Sequence, residues 1–257
     1  MAQAVKYALL GAADTSRLKW ANAVACVVQG VTGVVLLLPG VRVDAYVPVY
    51  SHFATNNRTS EEAVLLAHVN VGYLPGVFLL LSCLDHAVVL CIFPRYQRWL
   101  QERHNPLRWA EYFFSATLMH VLIALLCGVF DLHLVFAVAG LTATTMLFGH
   151  LQEETQPLRS TTPQLYVMGW GFVPWVWQWA IVFCYFFRAV AHSERDVPAF
   201  VWGIVVVQAV LDFSFAWCQK KQQTEWQYVT GELWFIALSI AAKQALAWLN
   251  YGGTRSL

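Results

Sequence analysis

One lysine lies in the middle of an apolar segment, where a charged side chain is costly and therefore points to chemistry. Lys243 stands within residues 236–248, which otherwise carry no charge. An amine in such surroundings is more easily held in its neutral, nucleophilic form and can condense with an aldehyde to give a Schiff base. Ser239 lies four residues earlier on the same helical face, so its hydroxyl can approach the amine. The simpler alternative is a lysine that a buried carboxylate holds for structural reasons alone.

Three acids also lie in apolar segments. A protonated Schiff base needs an anion, and Glu111 is the best candidate for that counter-ion, with Ser115 one turn deeper on the same face. The alternative for Glu111 is a carboxylate near the membrane surface that pairs with Arg108. Asp85 and Asp212 can each act as a second counter-ion, a proton acceptor or a group that burial keeps neutral.

Polar and aromatic residues indicate what surrounds these groups. We expect a polar inner cavity lined by His86, Asp85, Gln29 and Asn22, although a histidine inside a membrane segment is more often a hydrogen-bonded core residue. We assign a ligand pocket next to Lys243 to Tyr112, Met119, Trp175, Trp179 and Asp212. Flat aromatic walls suit a rigid polyene, while contact with lipid explains some of these tryptophans equally well. The histidines show no ligand spacing, so we expect no metal site.

The composition places all these residues in a membrane protein. Of the 257 residues, 58% are hydrophobic and only 12% are charged, about half the charge of an ordinary soluble domain. Apolar segments of about 20 residues are long enough to cross the hydrocarbon core as helices. The near-neutral net charge of +1 gives no indication of a nucleic-acid partner. The six cysteines lie in or beside apolar segments without metal-ligand spacing, and we interpret them as small core residues.

We predict an all-α bundle of seven transmembrane helices in a single domain, 1–257. The predicted helices lie near 20–38, 66–92, 107–128, 132–151, 165–189, 198–218 and 229–250. Pro75 and Pro174 fall inside two of them and are expected to kink them. The long connection 39–65 contains Val43, Tyr46, Val47, Val49 and Tyr50 before a polar stretch, which favours a short β-hairpin. A glycosylation triplet, Asn57-Arg58-Thr59, lies in this connection.

Lysine and arginine are unevenly shared between the two ends of this bundle. Ten lie in the N-terminal tail and even-numbered connections, against five in the other set: Lys6, Arg17, Lys19, Arg95, Arg98, Arg103, Arg108, Arg159, Lys220 and Lys221 against Arg42, Arg58, Arg188, Arg195 and Arg255. Because positive charge accumulates on the cytoplasmic side, we expect a cytoplasmic N-terminus and an extracellular C-terminus and hairpin.

Four segments resemble one family of retinal proteins. They are Arg108-Trp109-Ala110-Glu111-Tyr112, residues 147–157, Val173-Pro174-Trp175 and residues 238–248. Together with the expected cytoplasmic N-terminus, which is opposite to that of ordinary microbial rhodopsins, these segments make the chain resemble the heliorhodopsins over most of its length. The resemblance implies that Lys243 binds all-trans retinal, that Glu111 is the counter-ion and that Ser239 neighbours the Schiff base. It also implies a homodimer, a hairpin in the first outer loop and a slow photocycle suited to signalling.

The chain departs from the family pattern at three positions. Cys26 stands where members often carry a histidine on the first helix, while His86 matches the histidine on the second. Asp85 and Asp212 replace residues that are usually apolar or aromatic. These differences leave proton handling in the inner cavity open.

Three functions remain to be compared. The leading one is a light sensor, not an enzyme, in which isomerisation of retinal and loss of the Schiff-base proton change the cytoplasmic face and bias an unknown signalling partner. The second is a light-gated or light-driven proton transporter that uses Glu111, Asp85, Asp212 or Glu194. The third is a membrane enzyme or binding protein that uses Lys243 without retinal, and no catalytic set in the sequence supports it.

Overall fold

Seven long helices form the bundle that the sequence predicts. The structure, a computed structural model, describes residues 11–54, 61–155, 164–192 and 196–256. Its elements are α1 (Ala12–Leu37), β1 (Tyr46–Ala54), β2 (Glu61–Asn70), α2 (Leu74–Cys91), α3 (Phe93–Gln101), α4 (Pro106–Leu126), α5 (Leu132–Glu154), α6 (Tyr166–His192), α7 (Ala199–Thr224) and α8 (Tyr228–Arg255). Within the described residues, all of these helices except α3 are long and apolar enough to cross a membrane. The chain is therefore an integral, multi-pass membrane protein.

The β-hairpin between α1 and α2 is longer than the sequence predicts. The antiparallel strands β1 and β2 pair Tyr46 with Asn70 at one end, so residues 66–70 lie in a strand and not in the predicted second helix. That helix begins only at Leu74, and Pro75 occupies its first turn, where proline disturbs no helical hydrogen bond. The predicted kink at Pro75 is therefore wrong, whereas Pro174 does lie inside α6. The triplet at residues 57–59 and Glu194 lie outside the described residues.

The hairpin is fastened to the start of α5, and we call this end of the bundle the hairpin end. The amide of Tyr50 donates to the carbonyl of Phe130 at 2.8 Å, and the His52 ring lies 2.7 Å from the Asp131 carboxylate. Asp131 also caps α5 by accepting from the amide of Leu134 at 3.0 Å. Desolvation opposes ionisation of Asp131, but the hydrogen bonds from His52 and Leu134 outweigh it and lower the pKa of this carboxyl below its ordinary value.

A short helix that the sequence analysis missed closes the opposite end, which we call the N-terminal end because α1 starts there. Helix α3 follows α2 with a single residue between them and buries Phe93, Tyr96 and Leu100. Their spacing of three, four and seven residues places them on one face of a helix, a signal present in the sequence. Tyr96 is fully buried and donates to Glu232 at the start of α8, so α3 helps to build the site described below.

Close packing of α1 on α2 depends on glycine. A Cβ on Gly30 would lie 2.7 Å from Cys83 Sγ, and one on Gly33 would lie 3.2 Å from the carbonyl of Gly76. Cys26, one turn before Gly30, brings its Sγ to 3.6 Å from that of Cys83, and both are free thiols. The six cysteines are not all core residues as predicted, because Cys127 and Cys218 are buried while Cys91 and Cys184 are exposed on the bundle surface.

Candidate functional site

Lys243 lies at the centre of the site, with Glu111 and Ser239 beside it. The lysine is only 2% exposed, and its Nζ donates to Ser239 Oγ at 2.8 Å and lies 3.1 Å from Glu111 Oε1. The position of Ser239 four residues before Lys243 on α8 explains the first contact, while the second joins α8 to α4. The ring of Tyr112 lies 5.0 Å from Nζ and adds a cation–π contact. The sequence-predicted centre is thus assembled as one group.

Glu111 receives a further hydrogen bond from a residue that the sequence analysis did not assign. Ser82 of α2 is buried and donates its hydroxyl to Glu111 Oε1. A serine within an apolar helix is a detectable signal, but its partner lies on another helix and cannot be found from spacing. Ser115 is fully buried one turn beyond Glu111, and its hydroxyl has no hydrogen-bond partner among the described residues.

A large apolar cavity opens beside Lys243. It lies between α4, α5, α6, α7 and α8, and aromatic, methionine and small side chains dominate its walls. Residues lining it are Trp109, Tyr112, Ala116, Met119, His120, Thr145, Met146, Phe148, Gly149, Met168, Gly171, Phe172, Trp175, Asp212, Phe215, Ala216, Gln219, Phe235, Ser239, Ala242 and Lys243.

Most of the predicted pocket residues line this cavity, but one of them does not. Tyr112, Met119, Trp175 and Asp212 line the cavity, whereas Trp179 lies behind Asp212 and reaches it through a hydrogen bond. Other tryptophans of the fifth membrane helix, α6, have a different environment: Trp170 and Trp177 are exposed on the bundle surface, as lipid contact requires. Only some of the aromatic residues of α6 therefore belong to the pocket.

Two glycines help to shape this cavity. A Cβ on Gly149 would overlap the ring of Trp109, and a Cβ on Gly171 would lie 2.9 Å from the Cβ of Phe148. Larger residues at these positions would push α4 from α5, or α5 from α6. An apolar, aromatic cavity with a single amine at its wall fits a long conjugated aldehyde such as retinal, which needs apolar contact along its length and one nucleophile at its end.

Asp212 is held by two side chains from neighbouring helices. His120 Nε2 of α4 lies 2.8 Å from Asp212 Oδ2, and the indole N–H of Trp179 donates to the same oxygen at 3.0 Å. The second ring nitrogen of His120, Nδ1, lies 2.9 Å from the carbonyl of Ala116. Sequence spacing could not pair His120 with Asp212, since 92 residues separate them.

A small polar cavity lies on the side of the Lys243–Glu111 pair that faces the N-terminal end. Its lining includes Asn22, Asp85 and His86 from the predicted set, together with Tyr96, Asn105, Arg108, Glu111 and Glu232. The volume of about 20 Å³ is enough for about one water molecule. Tyr112, Phe235 and Ser239 line both cavities, so the Lys243–Glu111 pair lies where the two meet.

The predicted members of the inner cavity differ in their contacts. Asn22 Oδ1 lies 2.8 Å from His86 Nδ1, which ties α1 to α2. Gln29 does not line this cavity: it is fully buried on α1, seven residues nearer the hairpin end than Asn22, and its amide has no hydrogen-bond partner among the described residues. Asn22 and Gln29 lie on the same face of α1, but about 10 Å of helix rise separates them, so only Asn22 reaches the small polar cavity.

A buried ionic cluster closes the inner cavity at the N-terminal end. Arg108 forms ion pairs with Glu153 of α5 and Glu232 of α8. Tyr96 donates to Glu232 at 3.1 Å, and Tyr228 donates to Glu153 at 3.1 Å. The alternative that Arg108 pairs with Glu111 is therefore wrong, because Arg108 is occupied by two other carboxylates. The sequence analysis missed this cluster since each partner lies near a predicted helix end, where charge is common.

The match to known proteins decides the family. The family model described as Heliorhodopsin covers residues 18–255 of the chain. The chain belongs to the heliorhodopsin family. As a heliorhodopsin it is a light-sensing membrane protein that binds retinal. The lining of the apolar cavity beside Lys243 fits such a chromophore. No curated protein matches the chain in a sequence comparison.

Proposed function

We propose that this heliorhodopsin is a sensory photoreceptor in which Lys243 holds all-trans retinal as a protonated Schiff base. The observation that carries the proposal is the position of Nζ, which lies at the wall of the large apolar cavity and within 3.1 Å of Glu111. Retinal bound there supplies visible absorption and a light-driven isomerisation.

Glu111, Ser82 and Ser239 control the proton on Lys243 Nζ. The carboxylate of Glu111 stabilises a positive nitrogen, and its low exposure strengthens that effect because water does not screen it. The hydroxyl of Ser82 keeps one oxygen of Glu111 in place, and Ser239 accepts a hydrogen bond from Nζ at 2.8 Å. Movement of Nζ relative to these three groups changes where its proton is most stable.

Residues at the N-terminal end can transmit a change in the protonation of the site to the surface of the protein. Glu111 and Glu232 line the same small cavity, and Arg108 joins Glu232 to α5. We infer that a change of charge at Glu111 alters the balance within this cluster and hence the packing of α3, α4, α5 and α8. The charge distribution of the connections favours a cytoplasmic position for this end, where a signalling partner would contact it. Family analogy extends the proposal to a slow photocycle and a homodimer.

Proton transport is the second candidate, and the acids of the inner cavity favour it. Asp85, Glu111 and Glu232 line one cavity and provide a series of proton acceptors. On the hairpin side of Lys243, however, the core contains fully buried Leu122 and Leu246 next to Ile123, which is 1% exposed. A proton needs polar partners across the whole bilayer, so these apolar side chains favour the sensor.

Absorption and current measurements separate these candidates. Protein expressed with all-trans retinal should show a visible band that bleaches with hydroxylamine in light, whereas Lys243→Ala should lack it. A normal visible band in Lys243→Ala would exclude the assignment. Steady light-dependent current across a voltage-clamped membrane would favour transport over sensing, and Glu111→Gln is the matched variant in which such a current should disappear.

A further inference from the structure

A second pair of ionisable side chains lies in the wall of the large apolar cavity, separate from the Lys243–Glu111 pair. His120 and Asp212 both line the large cavity, and their contact joins α4 to α7. The side chain of His120 is 4% exposed and that of Asp212 is 16% exposed. Both hydrogen bonds to Asp212 fall on Oδ2, from His120 at 2.8 Å and from Trp179 at 3.0 Å. The pair is therefore built into the packing of three helices.

The hydrogen bonds of His120 fix how many protons the pair holds. A backbone carbonyl only accepts, so the contact of Nδ1 with Ala116 assigns a proton to Nδ1. The contact between Nε2 and Asp212 Oδ2 then requires one more proton, on either the ring or the carboxyl. In both arrangements the pair is neutral overall. Loss of this shared proton leaves a net charge of −1 at the cavity wall.

The surroundings assign this charge to the pair and not to another group. Among the described residues, the other titratable side chains lining the cavity are Tyr112 of α4 and Lys243 of α8, and the lining parts of α5 and α6 contribute none. Lys243 forms its ion pair with Glu111, and the hydroxyl of Tyr112 donates to the carbonyl of Phe235 at 3.3 Å. Asp212 is thus paired with His120, whereas Lys243 is paired with Glu111.

We propose that the His120–Asp212 pair is a colour-determining site that holds one proton and shifts the absorption of retinal when that proton is lost. The inference rests on the proposed binding of retinal to Lys243. Excitation of a protonated retinal Schiff base moves positive charge along the polyene, so its absorption responds to charges near the chain. The apolar walls of the cavity screen such a charge weakly. A neutral pair leaves the colour nearly unchanged, whereas a negative one shifts it.

The test is a pH titration of the visible band in the wild-type pigment and in two matched variants. As the pH is raised, the wild-type band should change position reversibly. This change should precede loss of the Schiff-base proton, which instead removes the visible band. Asp212→Asn should abolish this shift, because the amide keeps a hydrogen bond to Nε2 without a charge. Asp85→Asn, which removes a carboxylate of the other cavity, should keep it. An unchanged wild-type colour, or the same shift in Asp212→Asn, would overturn the proposal.

A second measurement examines the pair without retinal. Nitrogen NMR of protein labelled with ¹⁵N-histidine, with His120 identified by its absence in His120→Gln, should show a ring protonated at Nδ1 that loses a proton as the pH is raised. Asp212→Asn should change that titration. A His120 signal that does not respond to Asp212→Asn would also contradict the inference. If no visible pigment forms, the proposed function fails on its own, while the NMR result still reports on the pair.

Discussion

Replacing Glu111 by glutamine removes one charge at the site and keeps nearly the same shape. At 3.1 Å, two unit charges attract by about 5 kcal/mol with an effective dielectric constant of about 20. That energy changes the ratio of protonated to neutral nitrogen by a factor of about 10⁴. We therefore expect Glu111→Gln to lose most of its visible band at a pH where the wild type keeps it, in favour of an ultraviolet-absorbing form.

The visible band that remains in Glu111→Gln should lie to the red of the wild-type band. The carboxylate stabilises the ground state more than the excited state, in which part of the positive charge has moved away from the nitrogen. The red shift is therefore worth less than the whole ion-pair energy of about 5 kcal/mol.

The assay is a set of absorption spectra over pH in a buffer without halide, so that no small anion replaces the carboxylate. Asp85→Asn is the matched control, since Asp85 lines the inner cavity without contacting Lys243. A spectrum and pH dependence in Glu111→Gln equal to those of the wild type would refute the reasoning. The counter-ion would then be Asp85 or Asp212.

Two further predictions concern the ends of the bundle. Arg108→Gln should destabilise the folded protein by about 3–5 kcal/mol, because it leaves two buried carboxylates without their cation. Thermal unfolding should show this loss. The control is Arg95→Gln, which changes an exposed arginine and should behave like the wild type. Asp131→Ala should cost about 1 kcal/mol at pH 7 by removing the cap of α5 and the contact with His52. Because the folded-state pKa of Asp131 is lowered, its ionic contribution is present above the ordinary value of about 3.9 and is lost as the pH falls through the lowered value. Hydrogen exchange in β1 should therefore distinguish Asp131→Ala from the wild type clearly at pH 7 and less at acid pH, once Asp131 is protonated. An equal difference at both would contradict this assignment.

The sequence predicted those parts of the site that one helix or one rule of membrane energetics determines. Lys243 was detectable because charge inside a bilayer is costly, and Ser239 because both residues share a helical face. Glu111 followed from the same cost. The seven helices were predictable from apolar length, and the hairpin from the valines and tyrosines of the first long connection; the family match and the structure confirm them.

What the sequence left out depends on contacts between helices. The ion pairs of Arg108 with Glu153 and Glu232 span 45 and 124 residues, and spacing along the chain carries no information about them. The contact between His120 and Asp212 also joins two helices that are far apart in the sequence. The start of α2 was misplaced for a different reason. Residues 66–70 are as apolar as a helix end, and only their pairing with β1 makes them a strand.

The most direct test of the account is to locate the covalent link between chromophore and protein. Pigment formed with all-trans retinal is reduced with borohydride in light, digested and analysed by mass spectrometry. The account predicts that a retinyl group is found on the peptide that contains Lys243, and that this modification is absent from Lys243→Ala. A retinyl group on another residue, or a visible pigment that borohydride does not attach to the protein, would contradict the central role of Lys243.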